Sequence, residues 1–140
     1  MPVYQLDIEE DYYDFELIGI SSHEKNYRLA WAMNKGMGWK LARMKDIVIN
    51  GKHETSSHAQ FQFAHPVEQT IVTLIDNKTE DGFLLPELHQ FDYVLKIEDA
   101  YTDIDDLFYK RLRSVSFVLA VHSLDISKLK SRQNLVYEPR

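Results

Sequence analysis

Three histidines in the middle of the chain make a metal site the first chemistry to consider. His53, His58 and His65 are separated by five and seven residues. The spacing of four residues that places two zinc-binding histidines on one face of a helix is therefore absent. On a strand, residues an odd number apart point to opposite faces, so His58 and His65 would diverge. We expect no metal site here and interpret the three side chains as solvated histidines.

The segment Gly19-Ile20-Ser21-Ser22-His23 precedes a predicted helix, and backbone N–H groups at a helix start can hold an anion. The segment lacks the glycine spacing of a P-loop or of a dinucleotide fingerprint, and Glu24 would repel phosphate. A capping box accounts for the pattern instead. In a capping box, the Ser21 hydroxyl accepts the N–H of Glu24, and the Glu24 carboxylate accepts the N–H of Ser21.

Catalysis has little support in the residue pattern. The chain contains no G-x-S-x-G nucleophile elbow and no cysteine, which removes thiolate zinc sites, iron–sulfur clusters and Cys nucleophiles. Asp103, Asp105 and Asp106 are close in sequence, but they open a predicted helix whose dipole favours negative charge there. We assign no catalytic residue and no cofactor.

The segment 85–93, Leu-Pro-Glu-Leu-His-Gln-Phe-Asp-Tyr, carries the most distinctive polar pattern. Pro86 cannot donate to a strand ladder and so ends one strand, while Glu87 lies in a connection and can accept backbone N–H bonds. A buried Tyr93 would need a partner for its hydroxyl. Two interpretations stay open. One is a loop clamp with a core tyrosine, and the other is a recognition surface made by Glu87, His89 and Asp92.

This segment resembles the signature of the IPExxxVDY family, a bacterial family named for those letters. The residues that match the signature are Pro86, Glu87, Asp92 and Tyr93. Leu85 and Phe91 replace the Ile and the Val of the signature. The segments 14–34 and 128–131 also look like parts of that family, so the resemblance spans most of the chain. It implies a family and the importance of the matched positions, but no activity, cofactor or catalytic residue.

The composition of the 140 residues narrows the class of protein. Lys and Arg number 16 against 22 Asp and Glu, and the formal net charge is −6. This sign argues against a dedicated binder of nucleic acid or of anionic membranes. No apolar run reaches the roughly 18–20 residues that span a bilayer, and the acidic N-terminus is not a signal peptide. We expect a cytoplasmic protein with one domain over 1–140, of which 1–12 and 125–140 are less ordered ends.

Two amphipathic helices and several strands must position these residues. The first helix is predicted over about 22–35, ended by Gly36 or Gly38, and the second over about 103–114, capped by Thr102 or Asp103. Strands are predicted near 14–20, 39–49, 59–64, 70–75, 83–85, 91–97 and 117–122. Residues 53–57 are predicted as a loop. The last strand is a continuous apolar run, which is typical of a central strand.

This order of elements predicts an α+β fold, a two-layer sandwich with a mostly antiparallel sheet and two helices on one face. The specific form that we expect is a ferredoxin-like core with a β-hairpin inserted between its two halves.

Two hypotheses about function belong to different classes. The first is a non-catalytic protein-interaction or regulatory module that acts through a protein partner or a homodimer. Its candidate anchors are Trp31, Trp39, Tyr12, Tyr13, Tyr101 and Tyr137, and the acidic stretch 7–13 would suit a basic partner. The second is a small-ligand-binding domain or small enzyme with a pocket between the first helix and the sheet. In that pocket the convergent polar groups would be Arg28, His23, Glu87 and Asp92.

A third hypothesis is RNA binding through basic residues near the end of the chain. The residues concerned are Lys110, Arg111, Arg113, Lys128, Lys130 and Arg132. No ribonucleoprotein aromatic motif and no GXXG loop accompanies them, and the net charge opposes nucleic acid as a partner.

Overall fold

Ten strands are present among residues 14–50, 54–98 and 104–136, which are the residues that the computed structural model describes. In chain order they are β1 (Phe15–Ser21), β2 (Ala42–Arg43), β3 (Ile47–Asn50), β4 (Thr55–His58), β5 (Gln60–Ala64), β6 (Ile71–Asp76), β7 (Lys78–Thr79), β8 (Gly82–Phe83), β9 (Tyr93–Glu98) and β10 (Ala120–Leu124). Six of them form one sheet in the order β10-β1-β9-β6-β5-β2, with every neighbouring pair antiparallel. The pairs β3–β4 and β7–β8 form separate hairpins.

Two helices complete the core: α1 (Asn26–Met37) follows β1, and α2 (Asp106–Arg113) follows β9. The strands β10-β1-β9-β6 and these helices give the β-α-β-β-α-β order of a ferredoxin-like core, with the first strand between the last and the third. The hairpin β7–β8 lies between β6 and β9, which is the boundary between the two halves. A longer insertion, β2 to β5, separates α1 from β6. The predicted α+β sandwich is confirmed.

The start of α1 differs from the prediction. The helix begins at Asn26, with Lys25 at the N-cap position and no side-chain cap, so the predicted capping box is wrong. The reason is that Ser21 belongs to β1, where its carbonyl accepts the Leu119 N–H at 2.9 Å. Ser22 makes the local bond instead, and its Oγ accepts the Glu24 N–H at 3.2 Å.

The other ends of the helices follow simple rules. Gly38 ends α1 in the left-handed conformation at φ 72°, as predicted, because a glycine carries no Cβ penalty there. The side chain of Asp105 caps α2 by accepting the Phe108 N–H. The predicted caps of this helix, Thr102 and Asp103, lie outside the described residues.

The predicted positions of several strands are also corrected. The last strand is β10, which begins at Ala120 and, among the described residues, pairs with β1 alone, so it lies at an edge of the sheet and not at its centre. Phe117 and Val118 are apolar because they pack against the helices before the strand begins. The predicted strand 39–49 is divided into β2 and β3, and most of the predicted loop 53–57 belongs to β4.

The sheet carries a core on each face. The helix face is covered by α1 and α2, and its buried residues include Ile18, Ile20, Leu29, Met33, Leu74, Leu95 and Leu112. The loop face is covered by β3, by the loop 84–91 and by the segment 126–135. Its buried residues include Leu17, Ile47, Ile75, Leu84, Leu85, Leu88, Phe91, Val94, Leu129 and Leu135. Fully burying one such side chain contributes about 1.5–3 kcal/mol, so both cores stabilise the fold.

Phe91 and Leu107 depart from the predicted apolar patterns. Alternation along the predicted strand 91–97 places Phe91 on the same face as Tyr93 and Leu95, but Phe91 precedes β9 and its ring enters the loop-face core. The helical spacing of the second predicted helix places Leu107 in its apolar stripe, yet 72% of Leu107 is exposed.

Candidate functional sites

Glu87 holds the C-terminal segment to the loop face. It lies in a short 3-10 turn, Pro86–Leu88. The Ser131 hydroxyl donates to one carboxylate oxygen at 2.7 Å, and the Ser131 N–H donates to the other at 2.8 Å. Desolvation raises the pKa of Glu87, but these hydrogen bonds outweigh it and hold the pKa below its usual value. The carboxylate is thus satisfied by the protein itself.

Asp92 and Tyr93 brace the connection between β1 and α1. The Ser22 N–H donates to Asp92 Oδ2 at 3.0 Å, and the Tyr93 hydroxyl donates to the carbonyl of Glu24 at 2.6 Å. Burial raises the pKa of Tyr93 strongly, and the neighbouring carboxylates of Asp76, Asp92 and Glu24 add to the effect. The tyrosine therefore acts as a neutral hydrogen-bond donor.

The six predicted site residues do not meet in one pocket. Asp92 and Tyr93 lie together at the β1–α1 connection, whereas Glu87 lies with Ser131. The guanidinium carbon of Arg28 lies 5.0 Å from the centre of the Phe117 ring, and its Nη1 lies 3.7 Å from Glu24 Oε1. His23 and His89 are exposed, and the ring of His89 contacts that of Phe83 edge-on.

Asn77, which the sequence analysis did not single out, organises the loop 84–91. It is fully buried, and its Nδ2 donates to the carbonyls of Leu88 and Phe91, both at 2.9 Å. Its Oδ1 accepts the Leu85 N–H at 2.8 Å. In the sequence it is one of several polar residues in a turn-rich stretch, and nothing in that stretch marks it as buried.

His58 is buried and forms hydrogen bonds with two polar groups. Its Nδ1 lies 2.8 Å from the carbonyl of Asp76, so this nitrogen carries the proton, and its Nε2 accepts from the Ser56 hydroxyl at 2.8 Å. Desolvation lowers the pKa of His58. The expectation of a solvated side chain is wrong for this histidine, because β4 turns it inward. His53 lies outside the described residues.

The outer surface of α1 carries aromatic and basic side chains. Tyr27 and Trp31 are one helical turn apart and are 57% and 55% exposed. Arg28 lies between them, and the Lys35 ammonium is 4.5 Å from the centre of the Trp31 ring. We call these four residues the α1 surface. The opposite side of the helix is buried, so Tyr27 and Trp31 are not part of the core.

A cavity of about 300 Å³ opens where the C-terminal end of α1 meets the sheet and α2. It is lined by Met37, Gly38, Trp39, Phe63, His65, Glu68, Thr70, Val72, Ile97, Ile104, Phe108 and Arg111. Its walls are mostly apolar and aromatic, and the charged groups come from the β5–β6 turn and from α2. None of the six predicted site residues lines it.

The basic residues of the RNA-binding hypothesis lie in two separate places. Lys110, Arg111 and Arg113 belong to α2 on the helix face. The others flank Leu129 and Leu135, which are buried on the loop face. The six residues therefore do not form one patch.

Comparisons with protein-family models, with curated proteins and with solved structures found no match. The resemblance to the IPExxxVDY family stays a prediction. Within the described part of the chain, no group of three or more His, Asp or Glu side chains is placed to hold a metal ion. No helix of those residues has the length and apolar composition needed to cross a membrane.

Proposed function

We propose that this protein is a non-catalytic interaction module whose α1 surface binds an acidic segment of a protein partner. The observation that carries the proposal is the exposure of Tyr27 and Trp31 on a helix that contains basic residues and no carboxylate. The contacts of the surrounding side chains support both parts of the proposal, the aromatic anchor and the acidic partner.

The aromatic part rests on the exposed rings. More than half of the Trp31 side chain is in water, although the same helix buries Leu29 and Met33 completely. Tryptophan and tyrosine are enriched among the residues that dominate binding energy, because they bury a large area and lose little conformational entropy. A shallow groove beside Trp31, which Val115 and Ser116 also line, can accommodate a side chain of the partner.

The acidic part rests on charge. Lys25, Arg28 and Lys35 are on or beside α1, and no carboxylate occurs within the helix. Arg28 forms an ion pair with Glu24 at 3.7 Å, but 53% of the Arg28 side chain is exposed. In a chain with a net charge of −6, this is a local reversal of sign, and charge complementarity steers association. Three cations suit a short acidic peptide better than nucleic acid, which is usually held by many phosphate contacts.

The signature residues support a non-catalytic role. Glu87 accepts hydrogen bonds from Ser131, Asp92 accepts one from the Ser22 N–H, and the Tyr93 hydroxyl donates to the carbonyl of Glu24. Membership of the IPExxxVDY family and a cytoplasmic location, which the acidic, cysteine-free composition favours, belong to the same proposal.

The test uses a labelled peptide with the sequence of residues 7–13, which combines four carboxylates with two tyrosines. Its binding to the full chain is measured by fluorescence polarisation at several salt concentrations. We expect binding that Trp31→Ala weakens about tenfold or more and that added salt weakens further. Val67→Ala, which truncates another exposed apolar side chain, is the matched control and should leave binding unchanged.

Other occupants give different results. If the peptide does not bind, or if Val67→Ala weakens it as much as Trp31→Ala, the proposal is overturned. It is also overturned if a single-stranded RNA binds at this surface and the peptide does not. Self-association of the full chain that Trp31→Ala abolishes would support the proposal and identify a second copy as the partner.

A further inference from the structure

We propose that the cavity at the C-terminal end of α1 binds a free amino acid with an apolar side chain. This site is separate from the α1 surface, because Trp31 does not line it. The inference rests on the size of the cavity, on its apolar walls and on the polar groups at its rim.

The size and walls define the apolar part of the ligand. A volume of about 300 Å³ is at the lower end of the range for small-molecule sites, roughly 300–1,000 Å³. The rings of Trp39 and Phe108 form one side, with their centres 6.3 Å apart. Phe63, Val72 and Ile97 come from the sheet. Such walls favour a branched or aromatic side chain of modest size.

Arg111 provides a cationic group for a carboxylate. Its Nε donates to the carbonyl of Gly36 at 3.0 Å, which holds the guanidinium against the end of α1. A guanidinium fixed at one nitrogen still offers donors in the planar arrangement that binds carboxylates.

His65 provides a neutral donor on the other side. Its Nδ1 accepts the N–H groups of Val67 and Glu68 at 3.2 and 3.1 Å. In the neutral ring this leaves the proton on Nε2. The ring also rests edge-on against Phe63, with the centres 5.9 Å apart. The imidazole is therefore held in place by the β5–β6 turn and can donate a hydrogen bond.

Glu68 determines the class of ligand. It is the carboxylate at a rim that also carries Arg111. A plain organic acid would bring a second negative charge beside Glu68, and a plain amine would leave Arg111 without a partner. An amino acid carries an ammonium and a carboxylate on the same carbon atom. These two groups match the charged rim, and the side chain matches the apolar walls.

The experiment follows the fluorescence of Trp39. The chain has two tryptophans, and Trp31→Phe leaves Trp39 as the reporter. This variant is titrated with L-phenylalanine, with phenylpropionate, which lacks the ammonium, and with phenethylamine, which lacks the carboxylate. We expect a saturable change with L-phenylalanine and binding about tenfold or more weaker with each of the other two.

Two further variants assign the charges. Arg111→Gln should weaken binding of L-phenylalanine about tenfold or more, whereas Arg113→Gln, on the same helix outside the cavity, should leave it unchanged. Because Arg111→Gln also removes the bond to Gly36, circular dichroism checks its fold. Glu68→Gln, on an exposed turn, should remove the preference of the site for L-phenylalanine over phenylpropionate.

The outcomes separate clearly. No saturable change with L-phenylalanine up to about 10 mM overturns the proposal, because such weak binding is below about 3 kcal/mol. Equal binding of phenylpropionate by the parent protein overturns the assignment to amino acids. Equal effects of Arg111→Gln and Arg113→Gln overturn the location. None of these three results depends on whether the acidic peptide binds to the α1 surface.

Discussion

The two faces of the sheet are covered in different ways. On the helix face, α1 and α2 satisfy most of their own backbone hydrogen bonds, so the side chains between them and the sheet are almost all apolar. On the loop face, the covering segments are irregular, and their backbone groups need partners from side chains. Three side chains supply these partners. Asn77 donates to the carbonyls of Leu88 and Phe91. Lys96 donates to the carbonyl of Leu135, and Asn134 donates to that of Leu84.

This difference explains why the conspicuous polar residues of the loop face form hydrogen bonds with the backbone of the protein. A buried loop is stable only if its N–H and C=O groups are paired. The polar side chains of the loop face therefore act on the backbone, and Glu87 does the same at its edge. On the helix face, the backbone needs fewer partners from side chains, and aromatic side chains such as Tyr27 and Trp31 are exposed at its surface.

The sharpest test of the comparison is to remove, on each face, one asparagine whose side chain bonds to the backbone. Asn77→Ala removes three buried hydrogen bonds to the loop 84–91, and of the three backbone groups the Leu88 carbonyl keeps another partner, the Phe91 N–H. We expect a loss of about 3–5 kcal/mol, because the Leu85 N–H and the Phe91 carbonyl lose the bonds that Asn77 gives them. Asn34→Ala is the counterpart beside the helix face, where the side chain bonds both backbone groups of Leu41 and is only half-buried. We expect it to cost about 1–2 kcal/mol. Urea unfolding measures both, and equal losses would contradict the comparison.

The second test concerns the close approach of Phe91 to the sheet. A Cβ on Gly19 would stand 2.7 Å from the Phe91 ring, so Gly19→Ala should cost about 1–3 kcal/mol. In a Phe91→Leu background the same change should cost less, because the shorter side chain gives way. The coupling free energy from this double-mutant cycle checks the contact. Additive losses would show that the ring is not the obstacle.

The third test concerns the brace at the start of α1. Tyr93→Phe removes the hydrogen bond to the carbonyl of Glu24 and should cost about 1–2 kcal/mol. Tyr27→Phe removes a hydroxyl from an exposed tyrosine and should leave the melting temperature unchanged. A similar melting temperature for the two variants would mean that the brace contributes nothing.

The smallest effect is expected at Glu87. Its folded pKa is lower than its unfolded pKa, so the stabilisation is present above the ordinary value of 4.5 and is lost as the pH falls through the folded pKa. The carboxylate is exposed, which limits the effect to about 1 kcal/mol or less. Unfolding free energies of the parent and of Glu87→Gln should differ at pH 6 and converge in acid below pH 4.5. A difference that stays constant with pH would exclude a role for the charge.

Much of the fold could be predicted because it depends on local patterns. The presence of α1, the glycine that ends it and the alternation in β9 are all visible within short windows, although the sequence pattern placed Tyr27 and Trp31 on the buried side of α1 and both are exposed. The loop-face core was missed because its residues come from scattered segments, and each looks like an isolated apolar residue in a loop. Leu129 and Leu135, for example, stand in a polar tail, and only the tertiary structure shows them buried.

The candidate sites were predictable only in part. The pattern of the segment 86–93 indicated that its polar residues have specific partners. The contacts of Glu87, Asp92 and Tyr93 are those of a loop clamp. The partners of those residues, Ser22 and Ser131, are far away in sequence and could not be inferred. The cavity brings together residues from both helices and from the β5–β6 turn, so no motif could reveal it.

The position of β1 has a consequence for the order of events when the protein is made. This strand lies between β9 and β10, so Leu17 is opposite both Lys96 and Leu124. Until those distant residues have left the ribosome, Ile18 and Ile20 have no neighbouring strands to shield them. A sheet closed by such non-local pairs forms late, and the nascent chain is exposed to aggregation in the meantime. Synthesis of this protein should therefore depend on chaperones more than its modest length suggests.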